Sequence, residues 1–110
     1  MTENPKMLQG HLDLILLTIL EAEPLYGFRI TQQAQQLSDG YFSFKEGSLY
    51  PALHRLEQAG LLTAEEREAG RNGKPRKYYR LSELGRAALQ KQRHAFDTFT
   101  RAVRALTRST

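Results

Sequence analysis

The stretch from Leu61 to Leu81 interrupts a chain whose apolar pattern is otherwise helical, and it restricts the fold more than any other feature. Leu61 to Ala69 suits a strand, Arg76 to Leu81 alternates basic with aromatic residues, and Gly70-Arg71-Asn72-Gly73-Lys74-Pro75 between them has loop chemistry. These segments predict one β-hairpin with a basic tip. A lone two-stranded hairpin is marginal in water, so it has to lean on helices. Upstream, Leu8, Leu12, Ile15, Leu16, Ile19 and Leu20 recur at helical spacing and predict a largely buried first helix, ended by the proline between Glu21 and Leu25. Tyr26 to Leu37 places Ile30, Ala34 and Leu37 on a second amphipathic helix, closed by the turn residues Ser38-Asp39-Gly40. Tyr41-Phe42-Ser43-Phe44 is short, aromatic and alternating, which predicts a brief strand.

From Gly47 the pattern is helical again, with Leu49, Ala52, Leu53, Leu56 and Ala59 on one face and Gly60 where a C′ glycine stops the helix. Pro51 is tolerated only in a first turn, so this third helix begins near Glu46 to Ser48. Ser82 as N-cap and Glu83 as a first-turn acid open a long last helix running toward Arg108. The predicted order is helix, helix, short strand, helix, hairpin, helix.

Several function classes fall away at this level. A chain of 110 residues has room for one core. Without cysteine there are no disulfides, thiolate metal sites or cysteine nucleophiles. His11, His54 and His94 lie in three separate helices and no HExxH spacing occurs, so the chain is not read as an enzyme and no metal or cofactor is expected. Gly70 to Pro75 lacks the spacing of a P-loop and the Ser/Thr after its lysine. The longest apolar run, Leu12 to Leu20, contains Asp13 and Thr18 and is far shorter than the roughly 20 residues that cross a bilayer. No basic n-region with a cleavage site precedes it. The expectation is a cytoplasmic protein with no membrane partner.

Basic residues outnumber acidic ones 16 to 12, which leans toward a polyanionic partner but does not decide it. Where the charges cluster is more informative. Arg71, Lys74, Arg76, Lys77 and Arg80 crowd the hairpin without an acid among them, which suits phosphates whose neutralisation releases counterions. One of Tyr78 and Tyr79 is expected in the core, leaving the other to stack or to bond a phosphate. Three helices followed by a hairpin is the winged helix-turn-helix arrangement, mainly α with a small β-hairpin, in which the third helix enters the major groove. Its outward residues are Ser48, Pro51, His54, Arg55 and Gln58, with Tyr50 at the flank. Arg55 suits a guanine edge or a phosphate, and Ser48 and Tyr50 suit phosphates near the helix N-terminus.

Leu89, Gln92, Phe96, Phe99, Val103 and Leu106 follow alternating spacings of three and four along the last helix, a heptad-like seam. One domain's core leaves little for such a stripe to cover, so it predicts packing against a second copy. The expected organisation is a winged helix-turn-helix over residues 1–81 and a C-terminal dimerisation helix over residues 82–110. Two recognition helices in such a homodimer would read a palindrome in double-stranded DNA.

These motifs, taken in order, resemble the PadR-like winged-helix regulators, in particular their short class with a single C-terminal helix. The resemblance covers nearly the whole chain. It rests on residues 8–17 in the first helix, Leu25-Tyr26-Gly27-Phe28-Arg29-Ile30 at the second, and Glu46-Gly47-Ser48-Leu49-Tyr50-Pro51-Ala52-Leu53-His54-Arg55-Leu56-Glu57 in the third. Gly60-Leu61-Leu62 and Arg76-Lys77-Tyr78-Tyr79-Arg80-Leu81-Ser82-Glu83-Leu84-Gly85 complete it. It implies a homodimer joined through the last helix, usually repressing its own or neighbouring genes. It also implies DNA contacts from Ser48, Tyr50 and the His54–Arg55 region and from Lys74 to Lys77. Some members take a small aromatic effector between protomers, often against a tryptophan of the last helix. Tryptophan is absent here, and Phe96 and Phe99 serve either such a cavity or the dimer core. The rival class is a winged helix used as a protein-interaction module, which would lack salt-sensitive affinity for DNA.

Overall fold

The computed structural model describes residues 5–68 and 73–109. Its elements are α1 (Pro5–Ile19), β1 (Leu25–Tyr26), α2 (Gly27–Leu37), α3 (Glu46–Gln58), β2 (Leu62–Glu68), β3 (Pro75–Leu81) and α4 (Glu83–Ser109). The strands form one antiparallel sheet in the order β1-β3-β2. This is a winged helix-turn-helix with a long C-terminal helix. Among the described residues no helix is long and apolar enough to cross a membrane.

α1 lies at the centre and packs against α2, α3 and α4. Leu16, Leu17, Leu20, Ile30, Leu49, Leu53, Leu56 and Leu89 are the large side chains with essentially no exposed surface. Each fully buried leucine or isoleucine contributes about 1.5–3 kcal/mol, and together they bind four helices into one core. Two residues of the expected apolar faces are not part of it. Leu37, in the last turn of α2, is 75% exposed, and Ala59 lies in the exposed turn after α3. Helical spacing marks a face but not where the neighbouring element stops.

The expected strand at Tyr41–Phe44 does not form. The N–H groups of Tyr41 and Phe42 are bonded to Ser38, the first to its carbonyl at 3.1 Å and the second to its hydroxyl at 2.8 Å, so they cannot enter a ladder. Phe44 is nevertheless buried, as an aromatic anchor on an irregular segment. The free edge of β3 is taken by Leu25–Tyr26, which pairs with Tyr79 and Tyr78. Pro24 has already ended helical geometry there, and an extended pair before α2 satisfies the edge.

The turn between α3 and β2 is locked to the start of α4. Gly60 has the left-handed φ of +81° that a C′ residue needs. The Ser82 hydroxyl accepts from the Gly85 N–H at 2.9 Å, as an N-cap should, and donates to the Gly60 carbonyl at 2.6 Å. The Ser82 N–H bonds the Leu61 carbonyl at 3.1 Å. Gly85 is there for space: a Cβ would sit 3.0 Å from the Leu61 carbonyl carbon and closer still to its oxygen. With its first turns held in this way, α4 buries Leu89 to 1% exposure within a single chain. Leu89 was expected in the dimer seam. It belongs instead to the core, because the early turns of α4 lie against α1 and β3.

Gly85→Ala should cost about 3 kcal/mol, because the new methyl meets backbone that cannot step aside. Gly47, which faces open space, provides the control. Thermal unfolding monitored by circular dichroism should show a large loss for Gly85→Ala and a shift of less than about 1 kcal/mol for Gly47→Ala.

Candidate nucleic-acid interface

α3 turns Leu49, Ala52, Leu53 and Leu56 inward and leaves Tyr50, Pro51, His54, Arg55 and Gln58 exposed, with Ser48 half-buried. α3 starts at Glu46, within the expected window, but this leaves Pro51 inside the helix in its second turn and not in its first, and Glu46 is the first-turn acid. The outward polar face expected from the sequence is therefore present. Its two larger polar side chains, however, are tied to neighbouring elements.

Arg55 meets Asp13 of α1 in a two-pronged pair, Nη1 to Oδ2 at 2.9 Å and Nη2 to Oδ1 at 2.8 Å. The hydrogen bond to Asp13 holds the guanidinium above the usual arginine range, while partial burial opposes it. The two side chains remain 57% and 36% exposed, so the pair lies at the surface and adds only about 0–1 kcal/mol to stability. Tyr50 is 43% exposed and its ring lies over Gly27, the first residue of α2. Burial raises its hydroxyl pKa, with the Glu46 carboxylate adding to the effect.

Alternation gives the hairpin two distinct faces. On the side of Tyr79 and Leu81, which are buried, lies Lys77. Lys77 Nζ is 3.2 Å from Glu57 Oε1 at the end of α3 and 5.4 Å from the Tyr79 ring centroid. The hydrogen bond to Glu57 raises the Lys77 pKa, so this residue ties the wing to α3 while half-exposed. On the opposite face Arg76 stands directly across from Arg67. Like charges facing each other across strands are unfavourable, and here each is stacked on a tyrosine. Arg76 Cζ is 4.4 Å from the Tyr26 centroid and Arg67 Cζ 4.6 Å from that of Tyr78, with the two rings edge to face at 5.3 Å. Arg67 also pairs with Glu65 at 2.7 Å. Tyr79 is thus the core tyrosine and Tyr78 the stacking one.

Lys74 is exposed just before β3. Arg71 lies outside the described residues. From the sequence alone Arg67, Tyr26, Asp13 and Gly27 have no role at the site, although Tyr26 and Gly27 belong to the motif that opens the second helix. Arg67 was recoverable in principle, since strand alternation across a hairpin places it with Arg76. The contacts of Asp13 and Gly27 depend on helix packing and leave no local signature. Among the described residues no three His, Asp or Glu side chains gather to hold a metal ion.

This arrangement has parallels in known proteins. The profile of the transcriptional regulator PadR-like family matches residues 16–91. Transcriptional regulator Rv3488 of Mycobacterium tuberculosis is 44% identical over 69 residues, which is 63% of this chain and 63% of that protein. The chain thus spans slightly under two thirds of that relative's length. A transcriptional regulator from Clostridium thermocellum superposes with a TM-score of 0.81 at 25% identity, covering 91% of this chain and 96% of its own. A PadR family transcriptional regulator from Eggerthella lenta gives a TM-score of 0.79 at 29% identity, covering 96% and 89%. The exposed polar helix, the basic wing and a profile match extending from α1 into α4 agree, and the chain belongs to the PadR-like family of transcriptional regulators, which are not enzymes.

Proposed function

We propose that this protein is a sequence-specific DNA-binding repressor that acts as a homodimer on a palindromic operator. The observation that carries this reading is the exposed polar face of α3 beside a strand that presents Arg76 and Lys77. Ser48, Tyr50, Pro51, His54 and Arg55 are the proposed major-groove and adjacent backbone contacts, and Arg71, Lys74, Arg76 and Lys77 the proposed wing contacts. Residues 1–81 supply the DNA-binding unit and residues 82–110 the dimerisation helix.

The dimer proposal rests on the outer half of α4. This helix has 27 residues and would extend roughly 40 Å, yet beyond Phe96 nearly all its side chains are exposed. Phe96, Phe99, Val103 and Leu106 form an apolar stripe at 41%, 62%, 40% and 70% exposure. Helices in water are held by burying such a face, and a second copy of the same stripe satisfies it symmetrically. Phe96 also touches His11 of its own chain edge to face at 5.7 Å, so it bridges the core and the proposed seam. Phe96 and Phe99 are accordingly assigned to the dimer core and not to an effector cavity.

Fluorescence anisotropy against labelled DNA from the protein's own upstream region, at two salt concentrations with random DNA as competitor, tests the reading. Binding that resists competitor and weakens with salt is expected; absence of binding at low salt would favour the protein-interaction class. Lys74→Ala and Lys77→Ala should each weaken binding to all sequences alike and reduce the salt slope by about one. Arg55→Ala should cost about 1–3 kcal/mol for the operator and less for random DNA, narrowing the ratio between them. Asp13→Asn releases Arg55 from its carboxylate and should raise affinity for random DNA about threefold, visible in the same titration. Phe99→Asp should convert the dimer to monomer in analytical ultracentrifugation and abolish tight operator binding, with Leu89 and the core untouched.

A further inference from the structure

Gly27 opens α2 in a backbone conformation that alanine adopts freely, since its φ is not among the positive values found at Gly40, Gly60 and Gly73. Nor does glycine suit the helix itself, being among the weakest helix formers. Neither turn geometry nor helix propensity therefore explains this residue. What its missing side chain leaves is occupied: a Cβ on Gly27 would be 2.8 Å from both Cε1 and Cζ of Tyr50, and nearer still to its hydroxyl oxygen. The occupant comes from the recognition helix, immediately before Pro51.

We infer that Gly27 is a positioning residue for DNA binding: the side chain it lacks is the slot that seats Tyr50 against the start of α2 and fixes where the tyrosine hydroxyl stands beside the recognition helix. The inference rests on the reading of Tyr50 as a DNA contact. Seated in the slot, the ring has already given up the rotamer freedom that a contact would otherwise have to remove on binding. The slot also brings α2 and α3 together through a partly exposed aromatic, outside the leucine core that orients α3. Any side chain at residue 27 turns the ring out, restoring that freedom and breaking this contact.

A double-mutant cycle of Gly27→Ala and Tyr50→Ala tests this, with operator affinity and thermal unfolding measured for all four proteins. Gly27→Ala alone should weaken operator binding about tenfold, the scale of one well-placed hydrogen bond, while circular dichroism shows unchanged helix content. In the Tyr50→Ala background the same change should cost no further affinity and should raise the melting midpoint, because alanine is the better helix former once the slot is empty. An unchanged affinity in Gly27→Ala, or equal losses in both backgrounds, would overturn the inference. The 13C shift of the Tyr50 ring gives a DNA-independent measure: its hydroxyl should titrate closer to the ordinary value of 10.0 in Gly27→Ala than in the parent protein. If the parent protein bound no DNA at all, the proposed function and the DNA role of Gly27 would both fail. Additive melting changes together with an unmoved Tyr50 titration would remove the slot alone and leave DNA binding standing.

Discussion

Leu16, Leu17 and Leu20 fall within about one turn of chain at the end of α1, and none exposes more than 1% of its surface. α2, α3 and α4 all pack against α1, and Ile30, Leu49, Leu53, Leu56 and Leu89 join these leucines in one core. Both proposed surfaces of the molecule are referred to this packing. The inward leucines of α3 decide which of its faces is left outside, and the burial of Leu89 decides where α4 leaves the body of the protein. Large-to-small changes in such a cluster carry both a transfer and a cavity cost, so the geometry of α3 and α4 is stiff where it begins.

Much of this architecture was legible because it follows from period and punctuation. The leucine spacing of α1 and α3, the Ser82 cap and the glycine at 60 each act through local geometry, whereas Gly85 is required by the approach of Leu61 and Pro51 lies one turn deeper in α3 than a first-turn proline would. The failures share a different cause. Tyr41–Phe44 alternates like a strand, but Ser38 claims its backbone donors. Leu25–Tyr26 has little strand signal of its own and pairs because β3 offers an edge. Leu89 and Phe96 occupy equivalent positions in one heptad pattern, yet one is core and the other exposed, since periodicity fixes direction around a helix and says nothing of how far along it the neighbour reaches. In the proposed interface, the outward polar residues of α3 were visible as a pattern. Their partners were not, because Asp13 and Gly27 reach them through tertiary packing.

The wing shows how a fold can keep cations close together. Arg67 and Arg76 face each other across β2 and β3, a pairing that repels, and the sheet accommodates it by laying each guanidinium on a tyrosine. Tyr26 comes from the strand that sequence periodicity did not reveal. One consequence is that β1 does more than fill an edge, since it brings the ring on which Arg76 rests. Charge density and order on the wing therefore have one origin, the stacking of planar cations on planar rings.

α1 is also fastened at two exposed points outside its leucines. Asp13 holds Arg55 of α3, and Glu21, two residues beyond the helix, holds Arg93 of α4 at 2.8 Å with its own pKa lowered by that hydrogen bond. α3 and α4 are thus braced to α1 and the turn that follows it by ion pairs that water and salt can reach. Such braces stiffen at low ionic strength and slacken as the screening length shortens to about 10 Å at 0.1 M and about 3 Å at 1 M. Ionic strength would then act twice on this protein, on the proposed attraction of the wing for DNA and on the ion pairs that brace α3 and α4.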